Sequence, residues 1–173
     1  MFEELIEKNC FSEDEKERKK AADELEKIYN CEIHCQDMDS DVVFAHHARG
    51  CTIIASKICK GAVIYQNVTV GSNMKYNRTS QEWENVGNPV IGENVIVCDG
   101  AKILGPIIIG DGSVVASGAI ITKDVPKNSI AYGVNQFREK NENYDYVFNS
   151  NLPDMETILK TNEKLIKKYE KAD

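Results

Sequence analysis

Histidine is the side chain suited to take a proton from a neutral hydroxyl near pH 7, and this chain of 173 residues has three: His34, His46 and His47. An alcohol does not shed its proton unaided at that pH, so attack by a hydroxyl oxygen needs such a base beside it. The adjacent pair, His46 and His47, is the candidate. A metal site at Cys31, His34 and Cys35 is not expected, because the C-x-x-H-C spacing offers three ligands with no fourth close by. The six cysteines (10, 31, 35, 51, 59 and 98) are read as free thiols, since no secretory signal accompanies them.

These residues need a scaffold, and composition bounds what it can be. A chain of 19.4 kDa with 42% hydrophobic residues has room for one packed domain. The 28 acidic residues against 21 basic ones leave a formal charge of −7, which argues against a nucleic-acid partner. No apolar run is long enough to cross a membrane, and the start, MFEELIEKNC, carries acids where a signal peptide has a basic segment. A cytoplasmic location is therefore expected. All eleven glycines fall between Gly50 and Gly133.

That glycine-bearing middle is a repeat. Ile91, Val97, Ile103, Ile109, Val115 and Ile121 recur every six residues, and four places after each comes Val95, Ala101, Ile107, Ser113, Ala119 or Val125. An earlier block carries Thr52, Ile58, Ile64 and Val70 at the first position, with Ser56, Ala62 and Val68 at the second. Six matches neither a helix nor an alternating strand. It matches a coil whose flat sides each use six residues, so a mainly β fold, a parallel β-helix with stacked aliphatic residues inside and glycines at the corners, is predicted.

The phase breaks between Val70 and Ile91, where the polar segment 72–88 with the sole tryptophan, Trp83, is expected to leave the coil as a functional loop. The ends are helical. Ser12-Glu13-Asp14-Glu15 reads as a capping box for a helix running toward Tyr29 with Ala22, Leu25 and Ile28 as its apolar stripe, and a shorter helix from Phe2 to about Asn9 precedes it. Leu152 to Lys171 reads as a last amphipathic helix with Ile158, Leu165, Ile166 and Tyr169 inward. The expected organisation is a helical segment over 1–30, the coil over 31–137 and a linker with helix over 138–173.

The stretch VCDGAKILGPIIIGDGSVVASGAIITKDVP (Val97 to Pro126), with VIYQNVTVG (Val63 to Gly71), resembles the hexapeptide-repeat acyltransferases, and among them the serine O-acetyltransferase branch. The resemblance implies a left-handed parallel β-helix, a homotrimer or dimer of trimers, and transfer of acetyl from acetyl-CoA to a hydroxyl, with no metal. The family's His-x-x-Gly is met by His47-Ala48-Arg49-Gly50, whereas counting six back from Ile58 and Thr52 reaches His46, so the choice of base stays open. The family's Asp-Ile-His, whose carboxylate orients the base, corresponds to Glu32-Ile33-His34.

For the acceptor the resemblance implies Asn88, with Arg49. The family's histidine before proline is replaced here by Asn88 in Gly87-Asn88-Pro89, and the long helical domain of the serine enzymes is cut to about thirty residues. Serine is the expected acceptor, in the service of cysteine biosynthesis. A sugar or polysaccharide-precursor hydroxyl, or a non-catalytic scaffold, are the alternatives. Donor-binding positions implied by the resemblance are Ala101, Gly105, Ser117, Gly118, Ala119, Thr122 and Lys123.

Overall fold

The computed structural model describes residues 1–144, 146 and 152–170. Two helices, α1 (Phe2–Phe11) and α2 (Glu15–Tyr29), lead into β1 (Glu32–Met38), β2 (Val43–Phe44), β3 (Thr52–Ile58), β4 (Val63–Ile64) and β5 (Thr69–Gly71). After an extruded hairpin, β6 (Lys75–Asn77) and β7 (Glu82–Glu84), the coil resumes with β8 (Val90–Ile91), β9 (Ile96–Val97), β10 (Lys102–Leu104), β11 (Ile108–Ile109), β12 (Val114–Val115), β13 (Ile120–Ile121) and β14 (Ser129–Tyr132). An antiparallel strand, β15 (Gln136–Glu139), closes the edge of β14, and α3 (Met155–Tyr169) comes last.

Strand pairing inside the coil is parallel, and its register resolves three interior columns. Ile33, Ile53, Val70, Ile103 and Ile121 stack on the first side. Met38, Ile58, Ile91, Ile109 and Val125 stack on the second. Phe44, Ile64, Val97, Val115 and Ala131 stack on the third. The predicted parallel β-helix is thus present, and the six aliphatic residues from Ile91 to Ile121 are all sealed from solvent. Backbone N–H and C=O groups on these sides bond between successive coils, as from the Val63 N–H to the Val95 carbonyl and from the Ile96 N–H to that of Ser113, so the stack holds together without long strands.

Corner length explains where the six-residue phase misleads. From Ile53 to Ile58 the chain takes five steps, so Ile53 holds the interior slot and Thr52 is exposed. Ser56 is half-buried for the same reason, and Ala55 is the buried residue. Val125 follows Ile121 by four residues and belongs to the second column, pairing with Ile109.

The helical ends also depart from expectation. The cap of α2 is Asp14, whose side chain accepts from the Lys16 N–H at 2.9 Å, while Ser12 Oγ accepts from the Asp14 N–H at 3.1 Å and donates to Glu17 Oε2 at 2.6 Å. Ala21 and Leu25 form its buried stripe, and Ile28 is exposed. α1 packs Phe2, Leu5 and Ile6 into the core and extends to Phe11, with Asn9 Nδ2 donating to the Ile33 carbonyl at 2.8 Å. α3 forms, capped by Asp154, but Ile158, Leu165, Ile166 and Tyr169 are all exposed rather than inward. An amphipathic period states which side of a helix is apolar, and nothing in the described chain covers that side. Lys171, the expected last residue of this helix, lies outside the described residues.

Candidate functional site

The histidine pair occupies a length anomaly. On the corner between the third and first sides the chain takes six steps from Ile64 to Val70, from Val97 to Ile103 and from Val115 to Ile121, but nine from Phe44 to Ile53. The surplus is Ala45-His46-His47, folded into a tight turn over Ala45–Ala48. Its residues are left-handed: φ is 54° at His46, 58° at His47 and 50° at Ala48. A left-handed non-glycine residue costs about 1–2 kcal/mol, and such strain collects at functional sites. Counting six back from Ile53, the true interior residue, reaches His47, in agreement with the His-x-x-Gly spacing.

Both histidines are exposed. The His47 ring packs against Phe2 at 5.2 Å and Tyr29 at 5.5 Å between centroids, and Phe2 and Tyr29 meet edge-on at 5.0 Å. His46 leans toward Tyr65 at 6.1 Å. Glu32, expected to orient the base, spends its carboxylate elsewhere: Oε1 lies 3.2 Å from Nε2 of His34. The two sit two residues apart on β1, where alternation turns both outward. No hydrogen bond or ion pair joins Glu32 to His46 or His47 among the described residues.

From the histidine turn a single edge runs down the coil. The Asn67 N–H donates to the Arg49 carbonyl, the Gly100 N–H to that of Gln66, and the Gly118 N–H to that of Asp99. Gly50, Asn67, Gly100 and Gly118 occupy equivalent corners, each with positive φ. Asn67 Oδ1 fills the space a Cβ on Gly50 would need, at 2.5 Å. At a coil spacing of about 4.8 Å, Gly118 lies about 14 Å below the histidine turn. Gln66 Oε1, on the same edge, is buried with no hydrogen-bond partner among the described residues.

The donor-binding candidates divide into two groups. Ala101 and Ala119 are fully buried, their methyl groups in an interior column with Cys31, Cys51 and Val68, and their backbone groups are used between coils. Gly105, with φ 112°, donates its N–H to the Gly71 carbonyl. Thr122 is held by Asn135, which accepts from its N–H at 2.7 Å and donates to its Oγ1 at 2.8 Å. Ser117, Gly118 and Lys123 are exposed, and Lys123 has no ion pair among the described residues. Arg49 is exposed on the histidine turn.

A groove of about 870 Å³ opens between α2 and β1. Its walls include Glu32, His34 and Asn88, so two expected site residues meet here in the company of the third histidine, apart from the His46–His47 turn. Ser56 Oγ donates to the Asn88 carbonyl at 3.0 Å, which fixes that end of the extruded segment. No residue pattern announces this groove, because it depends on how α2 docks on β1. The segment 72–88 itself is a hairpin rather than an open loop: Tyr76 and Trp83 pair edge-on at 5.4 Å, and Lys75 Nζ lies 2.9 Å from Glu84 Oε2. Tyr76 and Trp83 are both exposed.

Comparison with known proteins agrees with this architecture. Residues 88–123 match the family model for the bacterial transferase hexapeptide (six repeats). A Schizosaccharomyces pombe protein assigned to the serine acetyltransferases is 38% identical over 106 residues, which are 61% of this chain and 37% of that one. The Helicobacter pylori serine acetyltransferase is 31% identical over 107 residues, 61% of this chain and 58% of that one. A solved serine acetyltransferase in complex with cysteine shares the fold at a TM-score of 0.62 and 23% identity, covering 75% of this chain and 49% of that one. The chain therefore spans about half the length of the relatives it matches, or less.

Proposed function

We propose that the chain is a hexapeptide-repeat transferase and, within that family, an acetyl-CoA-dependent serine O-acetyltransferase with His47 as its base. The observation that carries this reading is the three-residue insertion that sets His47 at the head of an edge whose lower corners, at Ser117 and Gly118, lie within the residues 88–123 that match the hexapeptide family model. A left-handed imidazole is costly to maintain, and its ring contacts with Phe2 and Tyr29 hold it in place while it stays exposed.

In this reading the acetyl donor lies along that edge. Gln66 Oε1 is a buried acceptor that an amide N–H of the pantetheine arm would satisfy, and Lys123 is the exposed cation at the far end for a phosphate. A solved serine acetyltransferase in complex with CoA shares the fold at a TM-score of 0.50 and 22% identity. His47 takes the proton of the serine hydroxyl as its oxygen attacks the thioester carbonyl carbon. The tetrahedral oxyanion collapses with cleavage of the C–S bond, and the imidazolium returns the proton to the thiolate of CoA. Arg49, on the same turn, serves the acceptor side.

The exposed apolar stripe of α3 and the open flanks of the coil support assembly as a trimer. The product would feed cysteine biosynthesis in the cytoplasm, a compartment where six unpaired thiols persist. Among the described residues no helix is long and apolar enough to cross a membrane. Release of CoA thiol on adding serine to the full chain with acetyl-CoA tests the activity, and light scattering tests the trimer. Thiol release with a sugar acceptor but not with serine would overturn the substrate, and no release with either would overturn the enzyme.

A further inference from the structure

We propose that Phe2 and Tyr29 are positioning residues for His47, two aromatic rings from the helices ahead of the repeat that fix its imidazole where no carboxylate does so. The proposal rests on the reading of His47 as the base. A general base works along one line, from a ring nitrogen to the proton it takes, and a misplacement of about 1 Å can cost on the order of a hundredfold in rate. An exposed histidine on a turn has two free side-chain torsions, so something must set the ring.

The usual device is a carboxylate or carbonyl that accepts from one ring nitrogen. Glu32 is occupied with His34 at 3.2 Å, and what the His47 ring meets is aromatic. Its centroid lies 5.2 Å from that of Phe2 with the planes at 61°, and 5.5 Å from that of Tyr29 with the planes at 48°. Phe2 and Tyr29 in turn meet at 5.0 Å and 72°. Each of the three rings therefore touches the other two, at separations that aromatic pairs prefer. One such contact leaves a ring free to roll around its neighbour, whereas two from partners that are themselves in contact form a notch with one seat. Contacts of ring on ring take up neither imidazole nitrogen, so both stay available for proton transfer. His46, with the same left-handed backbone, has the looser approach to Tyr65 at 6.1 Å.

The notch is itself anchored. Phe2 is 5% exposed and belongs to the core with Leu5, Ile6 and Leu25, and Asn9 Nδ2 ties α1 to β1 through the Ile33 carbonyl at 2.8 Å. Tyr29 is the last residue of α2 and is half-buried against the same core. The next residue, Asn30, turns left-handed at φ 53°, donates its N–H to the Glu26 carbonyl at 3.0 Å and accepts the Gly50 N–H at 2.9 Å. Gly50 stands three residues after His47. The helix end that carries Tyr29 and the turn that carries His47 thus share one hydrogen-bonded frame, and a ring set by such a frame keeps its direction.

Three variants separate a positioning role from a packing one. Tyr29→Phe keeps the ring, while Tyr29→Leu and Phe2→Leu replace a ring by a non-aromatic apolar side chain. The full chain is labelled with ¹³C-histidine, and the His47 signals are identified by their loss in His47→Gln. At pH 9, above the ordinary range of histidine titration, these signals are expected to be displaced from those of a free imidazole by the currents of the two rings. Tyr29→Phe should leave them in place, and either leucine variant should return them toward the free value. In turnover, either leucine variant is expected to lower kcat about tenfold with KM for serine and for acetyl-CoA within twofold, and Tyr29→Phe to keep kcat within twofold of the parent. Lost packing alone would lower the thermal midpoint and leave the kcat of the folded chain unmoved. Undisplaced signals in the parent overturn the proposal even where both leucine variants fail to fold. An unmoved kcat in a folded leucine variant overturns it too, as does a Tyr29→Phe chain as impaired as Tyr29→Leu. Signals that respond as expected in a chain that transfers acetyl to no acceptor support the notch and overturn the acetyltransferase reading instead.

Discussion

Nε2 of His34 lies 3.2 Å from Oε1 of Glu32, so the carboxylate expected to orient the histidine pair serves a third imidazole instead. Both side chains are about half exposed, at 56% and 52%, and a pair so solvated contributes little to stability. Glu32→Gln keeps the shape and removes the charge. It is expected to lower kcat less than tenfold, whereas His47→Gln should lower it by about 10²–10⁴, the usual worth of a general base. Equal losses in the two variants would mean that Glu32 orients His47 in the assembled enzyme.

The left-handed turn makes a prediction in which stability and activity part company. His46→Gly removes a left-handed Cβ that costs about 1–2 kcal/mol and loses only the loose ring contact with Tyr65 at 6.1 Å. The urea midpoint should rise and activity should persist. His47→Gly gains the same relief but gives up ring contacts with Phe2 and Tyr29, worth about 0.5–1.5 kcal/mol. Its stability should stay near that of the parent while activity falls away. A rise in stability with retained activity for His47→Gly would remove it as the base.

Two glycines inside the coil should respond in opposite ways to alanine. A Cβ on Gly110 would stand 2.6 Å from the Lys127 nitrogen and 2.8 Å from backbone atoms of Val125 and Pro126, all main-chain atoms that cannot turn aside. Gly110→Ala is expected to cost more than about 3 kcal/mol, at or beyond the top of the common mutational range. A Cβ on Gly71 meets nothing within 4 Å, and its φ is not left-handed. Gly71→Ala should be neutral or stabilising by up to about 1 kcal/mol, through the entropy of the unfolded chain. Paired thermal melts decide both.

The coil was legible in the sequence wherever its corners keep one length. From Ile91 to Ile121 every side uses six residues, and each residue of that series is interior. The pattern failed where a corner shortens or lengthens, because a periodic count has no means of sensing an omitted residue. In that count Thr52 takes the place that Ile53 fills, and Val125 falls at the second position of the repeat although it stacks on Ile109, a first-position residue. The same shift produced the ambiguity between His46 and His47. Short-range chemistry located the α2 start to within two residues but named Ser12 where Asp14 caps. What the sequence could not reveal was any property set by docking between distant elements: the partner of Glu32, the groove under α2, and the exposed face of α3.

Two thiols, buried Cys31 and half-buried Cys10, give the fold an alkaline weakness. Burial pushes the Cys10 thiol up to about 11 and the Cys31 thiol likewise to about 11, from an ordinary 9.0. A thiol is neutral when protonated, and the folded chain favours that form. In the unfolded chain each thiol ionises near 9.0, whereas in the folded chain it holds its proton to about 11. Their contribution to stability is therefore complete below pH 9 and is lost as pH rises through about 11. The chemical-denaturation midpoint should fall across that window and not below it. Cys31 shares an interior column with Cys51 and Val68, where the N–H groups of Glu32 and Thr52 donate to the carbonyls of Cys51 and Val68. Because that column already accommodates valine, Cys31→Val should fold normally and flatten part of the alkaline decline. An undiminished decline in Cys31→Val, measured against the parent between pH 8 and 11, would show that the loss arises elsewhere.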